Sequence, residues 1–281
     1  MTYNDLLHHY KNKLDNTEIT YQTIKLLLLE LCNENDIDLY LAIDTNIDPK
    51  IEQLFISGFN RLLNNEPLNY ILGFSWFCGN KLIVNDNVLV PRYETEELVY
   101  QVLGLIDEKF SDTTTLNLVD IGTGSGAIAI SLAKEEPKLK VSASDISNEA
   151  INVALSNAKT NNVNIDFKVG NMLDPFINEE KFDILVSNPP YIPSLEVIDS
   201  SVKDFEPNIA LFGGDDGLKF YQEIISNAHK IVNEKAIIAF EIGWDQKERL
   251  EKIAKLEFPN ANIYTKKDIN NKDRMLFIEI L

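Results

Sequence analysis

Arginine is scarce in this chain: only Arg61, Arg92, Arg249 and Arg274 occur in 281 residues. Few side chains can therefore make bidentate contacts to phosphate. Lys and Arg together number 26 against 44 Asp and Glu, a formal charge of −18, and the acidic excess holds on both sides of residue 80. A protein that rides on a phosphate backbone carries a cationic surface, so nucleic acid is disfavoured as the main partner, although lysines could still cluster locally. Cysteine is almost missing. Cys32 and Cys78 supply neither a disulfide framework nor zinc spacing. Apolar runs such as residues 26–29 are far too short to span a bilayer, so no membrane is expected. The opening Met-Thr-Tyr-Asn-Asp-Leu-Leu-His-His-Tyr lacks a secretory-type apolar stretch, which points to a cytoplasmic location with both thiols reduced. The three histidines, His8, His9 and His229, form no ligand cluster and no Ser/His/Asp spacing, so no metal is expected. No Gly-Lys-Ser/Thr follows any glycine-rich stretch, which excludes an ATP-type phosphate loop.

What is present divides into three parts. Residues 1–75 read as helical, with Leu6, Leu7, Tyr10 and Leu14, then Ile24, Leu27, Leu28 and Leu31, at helical spacing. Asp48-Pro49 reads as a helix start and Asn64-Asn65-Glu66-Pro67 as a stop. Residues 76–93 read as a β-hairpin linker, in which 81–84 and 88–90 flank the turn Asn85-Asp86-Asn87. From residue 94 to 281 strands alternate with helices. Seven strands are expected at 116–121, 140–144, 165–169, 182–187, 236–242, 262–265 and 275–280, and helices at 94–110, 126–135, 148–160, 217–232 and 245–256. Such alternation predicts an α/β fold with a mostly parallel sheet covered on both faces, the last strand running antiparallel.

Two motifs carry chemistry. In Asp120-Ile-Gly122-Thr123-Gly124-Ser125-Gly126 an apolar strand runs through a glycine turn into a helix, which brings backbone N–H groups close to a ligand. Nineteen residues beyond Gly126, at the end of the next strand, Asp145 can accept hydrogen bonds from both ribose hydroxyls. A capped tight turn is the plainer alternative. Gly122-x-Gly124-x-x-Ala127 also satisfies the looser dinucleotide fingerprint, so NAD stays open on this motif. Asp120 argues the other way, because a carboxylate there would oppose a pyrophosphate yet could hold the ammonium of an aminoacyl group.

The second motif, Asn188-Pro189-Pro190-Tyr191, follows the fourth strand on the same carboxyl edge. Paired prolines remove two N–H groups and leave carbonyls free to accept. Asn188 adds a side-chain carbonyl and Tyr191 a flat face, together a seat for a planar NH2 group. Read alone, Asn-Pro-Pro is an ordinary turn.

Aspartate-glycine loop and Asn-Pro-Pro-Tyr together resemble the amino methyltransferases that use S-adenosylmethionine, which include adenine N6 and glutamine N5 methyltransferases. Residues 89–99 (Leu-Val-Pro-Arg-Tyr-Glu-Thr-Glu-Glu-Leu-Val), 205–218, 241–246 and 268–274 are similar to the peptide chain release factor glutamine N5-methyltransferase family. The chain departs at Tyr93, where that family more often has proline. The resemblance implies a Rossmann-like class I methyltransferase domain behind a small helical substrate-docking domain. It further implies S-adenosylmethionine around Asp120 and Gly122–Gly126, with Asp145 on the ribose and Asn171-Met172 at the adenine. Asn188, Pro189, Pro190 and Tyr191 would bind the substrate amide, with Asn188, Pro189 and Tyr191 catalytic and Asn188 also touching the cofactor. The substrate implied is a release factor, methylated on the glutamine of its Gly-Gly-Gln loop. Asn171 capping a turn remains the plainer alternative for that residue. An adenine N6 methyltransferase shares the two-acceptor chemistry, with the charge against it. A noncatalytic nucleotide-binding module would have no use for the Asn-Pro-Pro-Tyr sequence.

Overall fold

The computed structural model describes residues 1–15 and 17–281. Side-chain caps start most of the N-terminal helices. Thr2 opens α1 (Tyr3–Lys11) in a reciprocal capping box with Asp5, Thr20 opens α2 (Tyr21–Asn33), and Asp38 opens α3 (Leu39–Ala42). Asp48 accepts from the Lys50 amide ahead of α4 (Pro49–Leu63), with Pro49 at the first helical position as the sequence predicts. Each such cap contributes about 1 kcal/mol. The stop at 64–67 holds, but a short α5 (Leu68–Leu72) follows and ends on Gly73 in the left-handed region. Leu27 and Leu28 of the four-leucine run, with Phe55 and Phe59, are fully buried in this unit's core, whereas Leu26 is exposed.

Two units divide the chain. One holds Met1–Phe74 together with Asp199–Phe205, the other Ser75–Ile198 and Glu206–Leu281. The excursion through α9 (Ser200–Phe205) has no signal in the sequence.

The two-stranded ladder joins β1 (Phe74–Phe77) to β2 (Asn80–Ile83), one strand earlier than expected. Its turn is Cys78-Gly79, both at positive φ (46° and 72°), the conformation that suits the twist of a two-residue hairpin. Residues 88–90 form no strand; the Val90 amide instead donates to the Glu206 carboxylate at 3.3 Å, and Pro91 follows. Tyr93 occupies the first turn of α6 (Tyr93–Lys109), a position where proline is favoured, so the departure at this residue leaves the helix start intact.

A seven-stranded sheet forms the second unit: β3 (Leu116–Ile121), β4 (Leu139–Asp145), β5 (Ile165–Val169), β6 (Phe182–Ser187), β7 (Val232–Glu241), β8 (Asn262–Lys267) and β9 (Asp273–Ile280). Their order is β5-β4-β3-β6-β7-β9-β8, parallel except for β9, which pairs antiparallel with both neighbours. Crossover helices α7 (Ala127–Glu135) and α8 (Asn148–Thr160) serve one side of the order, α10 (Lys219–Asn227) and α11 (Lys247–Glu257) the other. Both sheet faces are covered, so alternate residues of one strand enter different cores. Leu118, Ile184, Val186 and Ile237 pack on the α6 and α7 side, while Val119, Leu185 and Ile238 pack on the α10 and α11 side. Complete burial of such side chains contributes roughly 1.5–3 kcal/mol each.

The helix expected over 217–232 is shorter than its pattern. It starts at Lys219 and yields to a 3-10 turn at Ala228–Lys230, because Val232 is already paired with Phe182 in the sheet.

Candidate active site

Register sets the geometry. Ile121 of β3 pairs with Ser144 of β4 and with Ser187 of β6, so Gly122, Asp145 and Asn188 are the next residues on three adjacent strands. Ser187 ties its neighbour further, its hydroxyl donating to the Ile121 carbonyl at 2.6 Å. Here the strand order reverses, from β3-β4-β5 on one side to β6-β7 on the other, and the crevice outside such a reversal is where open α/β sheets bind ligands.

A cavity of about 290 Å³ occupies that crevice. Gly122, Gly124, Asp145, Asn171, Met172, Asn188 and Pro190 line it, and Val88, Leu89, Ile209 and Phe220 add apolar wall. Gly122 and Gly124 both have positive φ, and a Cβ on either would meet nothing within 4 Å, so their bare backbone faces open space. Asp145 is fixed by two amides: Oδ2 accepts from Gly124 N at 2.8 Å and Oδ1 from Ser147 N at 2.9 Å. Each oxygen keeps a lone pair for a further donor. Burial pushes this carboxyl above its ordinary range, against the pull of those backbone bonds. Asn171 is held by a bond from Nδ2 to the Glu223 carboxylate at 2.6 Å, and Met172 sits at φ 42° with its carbonyl accepting from Ser144.

Other residues singled out in the sequence lie behind this wall. Asp120 is fully buried at the foot of the glycine turn, where Oδ2 accepts from the Thr123 hydroxyl at 2.7 Å and Oδ1 has no hydrogen-bond partner. Burial raises its pKa to about 7. Ser125 is buried and its carbonyl accepts from Asn157 Nδ2 at 2.9 Å. Gly126 serves packing: a Cβ there would stand 3.0 Å from Ile130 and 3.2 Å from Ala154 of α8.

The Asn188–Tyr191 segment is clamped from below. A Cβ on Gly213 would lie 2.4 Å from the Pro190 carbonyl oxygen, and one on Gly217 only 2.2 Å from that of Tyr191. Gln246 Nε2 donates to the Tyr191 carbonyl at 2.9 Å while its Oε1 accepts from Gly243 N. Pro189 is buried. Among the described residues no hydrogen bond ends on the Pro189 carbonyl or on Asn188 Oδ1, so both acceptors remain available. Tyr191 sends its hydroxyl to Glu241 Oε1 at 3.4 Å, and burial with that carboxylate beside it raises its pKa.

Sequence reasoning missed Thr95, Glu241, Gln246 and Asn157. Asn157 bridges the glycine turn and the hairpin, accepting from Ile83 N at 2.6 Å and donating to Ser125 and Ile83 carbonyls. The only signal for Thr95, Glu241 and Gln246 is that they lie inside the stretches that carry the family resemblance.

Comparison with known proteins decides the family. The chain is 40% identical over 259 residues to the release factor glutamine methyltransferase of Bacillus anthracis, covering 91% of each chain. The chain belongs to the release factor glutamine methyltransferase family. The same family's member in Bacillus subtilis is 45% identical over 213 residues, covering 75% of this chain and 74% of its own. Residues 104–205 match the methyltransferase small domain and residues 5–73 the PrmC N-terminal domain. A methyltransferase from Pyrococcus furiosus shares the fold, with a TM-score of 0.50 at 19% identity over 80% of this chain and 98% of its own. This family member is thus an enzyme of class I methyltransferase architecture, an N-terminal helical region preceding the seven-stranded domain. No helix among its described residues is long and apolar enough to cross a membrane.

Proposed function

We propose that the protein transfers a methyl group from S-adenosylmethionine to the side-chain amide nitrogen of the glutamine in the Gly-Gly-Gln loop of peptide chain release factors, in the cytoplasm. The observation that carries this is Asn188, its Oδ1 uncommitted, lining a glycine-walled cavity that Asp145 also lines, with the Pro189 carbonyl, likewise uncommitted, next in the chain.

The residues suit the cofactor on three counts. Bare backbone at Gly122 and Gly124 admits a close approach, Asp145 retains acceptor capacity for ribose hydroxyls, and the apolar wall around Met172 and Phe220 suits a base. Asp120 lies one layer back, so its contribution is to hold Thr123 and the turn; wholly buried and off the cavity wall, it would act on the methionine ammonium only as a fixed charge when ionised.

When bound, S-adenosylmethionine supplies an electrophilic methyl on an already activated sulfonium. The chain's own task is the nucleophile. An amide nitrogen is weakly nucleophilic because its lone pair is delocalised into the carbonyl. Asn188 Oδ1 and the Pro189 carbonyl each accept one N–H, which orients the NH2 group and favours positive charge developing on nitrogen. Such acceptors also favour an amide over a carboxylate, which has no N–H to offer.

Residues 1–75 are proposed to dock the release factor. Tyr40, Leu41, Leu54 and Leu63 are exposed there, and Leu195 and Val197, almost wholly exposed beyond Tyr191, offer the catalytic unit a second apolar contact. Acidic balance supports a protein substrate over nucleic acid. Methyl-labelled S-adenosylmethionine offered with a release factor or with duplex DNA tests the reading: label is expected in the release factor, and label in DNA would overturn it.

A further inference from the structure

We propose that Thr95 and Glu241 are positioning residues that decide which end of the Asn188 carboxamide meets the substrate. The proposal rests on the amide-methylation reading above and adds to it two residues that touch no reacting atom.

Asn188 Nδ2 donates to Thr95 Oγ1 at 3.2 Å, and Thr95 Oγ1 in turn donates to Glu241 Oε2 at 2.5 Å. A hydroxyl has one proton, and an ionised carboxylate can only accept; burial raises the Glu241 pKa, while the Thr95 and Tyr191 hydroxyls and the Arg274 charge favour its ionised form. Thr95 therefore spends its proton on Glu241 and turns a lone pair to Asn188. Only the NH2 end of the carboxamide can answer a lone pair, so Oδ1 is left for the cavity that Asn188 lines. Turning the amide over would set Oδ1 against the Thr95 lone pair. That mismatch is costly here, because Thr95 and Glu241 are buried, with relative exposures of 4% and 2%.

The same carboxylate reaches the motif twice, since Glu241 Oε1 also accepts from the Tyr191 hydroxyl. Its own backbone is anchored, the Glu241 carbonyl accepting from Tyr221 at 2.7 Å. Glu241 ends β7, the strand beside β6, and Thr95 lies in the first turns of α6, so two separate elements converge on one side chain of the loop. A seat for a substrate NH2 needs an acceptor; without this chain, either end of Asn188 could face it.

Thr95→Val removes the hydroxyl at nearly constant shape. It is expected to cut single-turnover methyl transfer to a release factor at least about tenfold, the lower range for loss of one preorganised polar contact, with S-adenosylmethionine affinity by calorimetry unchanged within about twofold. Thr95→Ser should restore most of the rate. Thr95→Ala compared with Thr95→Ser, at equal loss of the methyl group, isolates the hydroxyl should the valine variant be unstable. In an Asn188→Ala background Thr95→Val should cost nothing further, because the group it orients is gone. Undiminished transfer by a folded Thr95→Val or Thr95→Ala protein, or full multiplication of the two losses in the double variant, would overturn the positioning role while leaving the methylation reading intact. Absence of transfer by the wild-type protein would sink both.

Discussion

Gly217 passes so close beneath Tyr191 that a Cβ at 217 would stand 2.2 Å from the Tyr191 carbonyl oxygen. Its φ of +74° adds a conformation that L side chains rarely adopt. Two motifs far apart in the chain thus share one backbone contact, and the glycine-rich stretch around 213–217 is the floor of the Asn-Pro-Pro-Tyr segment.

Gly217→Ala should therefore destabilise the protein by more than about 2 kcal/mol and depress methyl transfer beyond what the stability loss explains, since the loop that carries Asn188 must shift. Gly104→Ala is the contrast. Gly104 lies in the interior of α6 with nothing near its would-be Cβ, so that change should stabilise by about 0.5–1 kcal/mol. Chemical denaturation of both variants checks the pair, and equal effects would deny the close approach its importance.

Asp145→Ala should weaken S-adenosylmethionine binding by roughly 1.5–3 kcal/mol, the contribution of hydrogen bonds to a charged group. It should also loosen the glycine turn, because the Gly124 amide loses its partner. Calorimetric titration gives the affinity directly. Unchanged binding would remove Asp145 from the site, and tighter binding of NAD would overturn the cofactor.

Asp120 makes a pH prediction for the cofactor-free protein. Its folded pKa of about 7 lies above the ordinary 3.8, because burial disfavours the charge. Between those values the folded state holds a proton that the unfolded chain has released, so stability falls as pH rises through this window and levels off above it. The slope reaches about 1.4 kcal/mol per pH unit for one proton. Asp120→Asn, always neutral, should lack that slope, so its stability relative to wild type should improve from pH 5 to pH 8. Parallel melting-temperature profiles would show that the carboxyl is ionised throughout.

Much of the fold is legible in the sequence because central strands covered on both faces are rich in apolar residues: 116–121 and 182–187 are strands at those limits, and so is the edge strand 165–169, whose apolar residues alternate with Asp166 and Lys168. The hairpin is displaced because its turn uses Cys78, a residue with no turn preference, while the Asn85-Asp86-Asn87 cluster mimics one. At the site, Gly122, Gly124, Asp145 and Asn188 are readable from local spacing, since Asp145 ends its strand and the others closely follow the ends of theirs. Glu241 is not. It ends a strand, and its significance comes from Thr95 and Tyr191, partners 146 and 50 residues away that only the fold brings to it.

Asn188→Ala should leave S-adenosylmethionine binding within a few-fold and lower methyl transfer by about 10² or more. Asn188→Asp keeps an acceptor but adds a negative charge near the sulfonium, and should trade the orientation of the amide for an ion pair. Single-turnover transfer at saturating cofactor separates the two effects. Near wild-type rates for Asn188→Ala would reduce Asn-Pro-Pro-Tyr to a turn.

The most direct measurement is fragmentation mass spectrometry of a release factor after incubation with the protein and S-adenosylmethionine. A single added methyl on the glutamine of the Gly-Gly-Gln loop, absent when that glutamine is replaced by glutamate, is the predicted result. A methyl on any other residue, or an unmodified release factor from a protein that binds the cofactor, would contradict it.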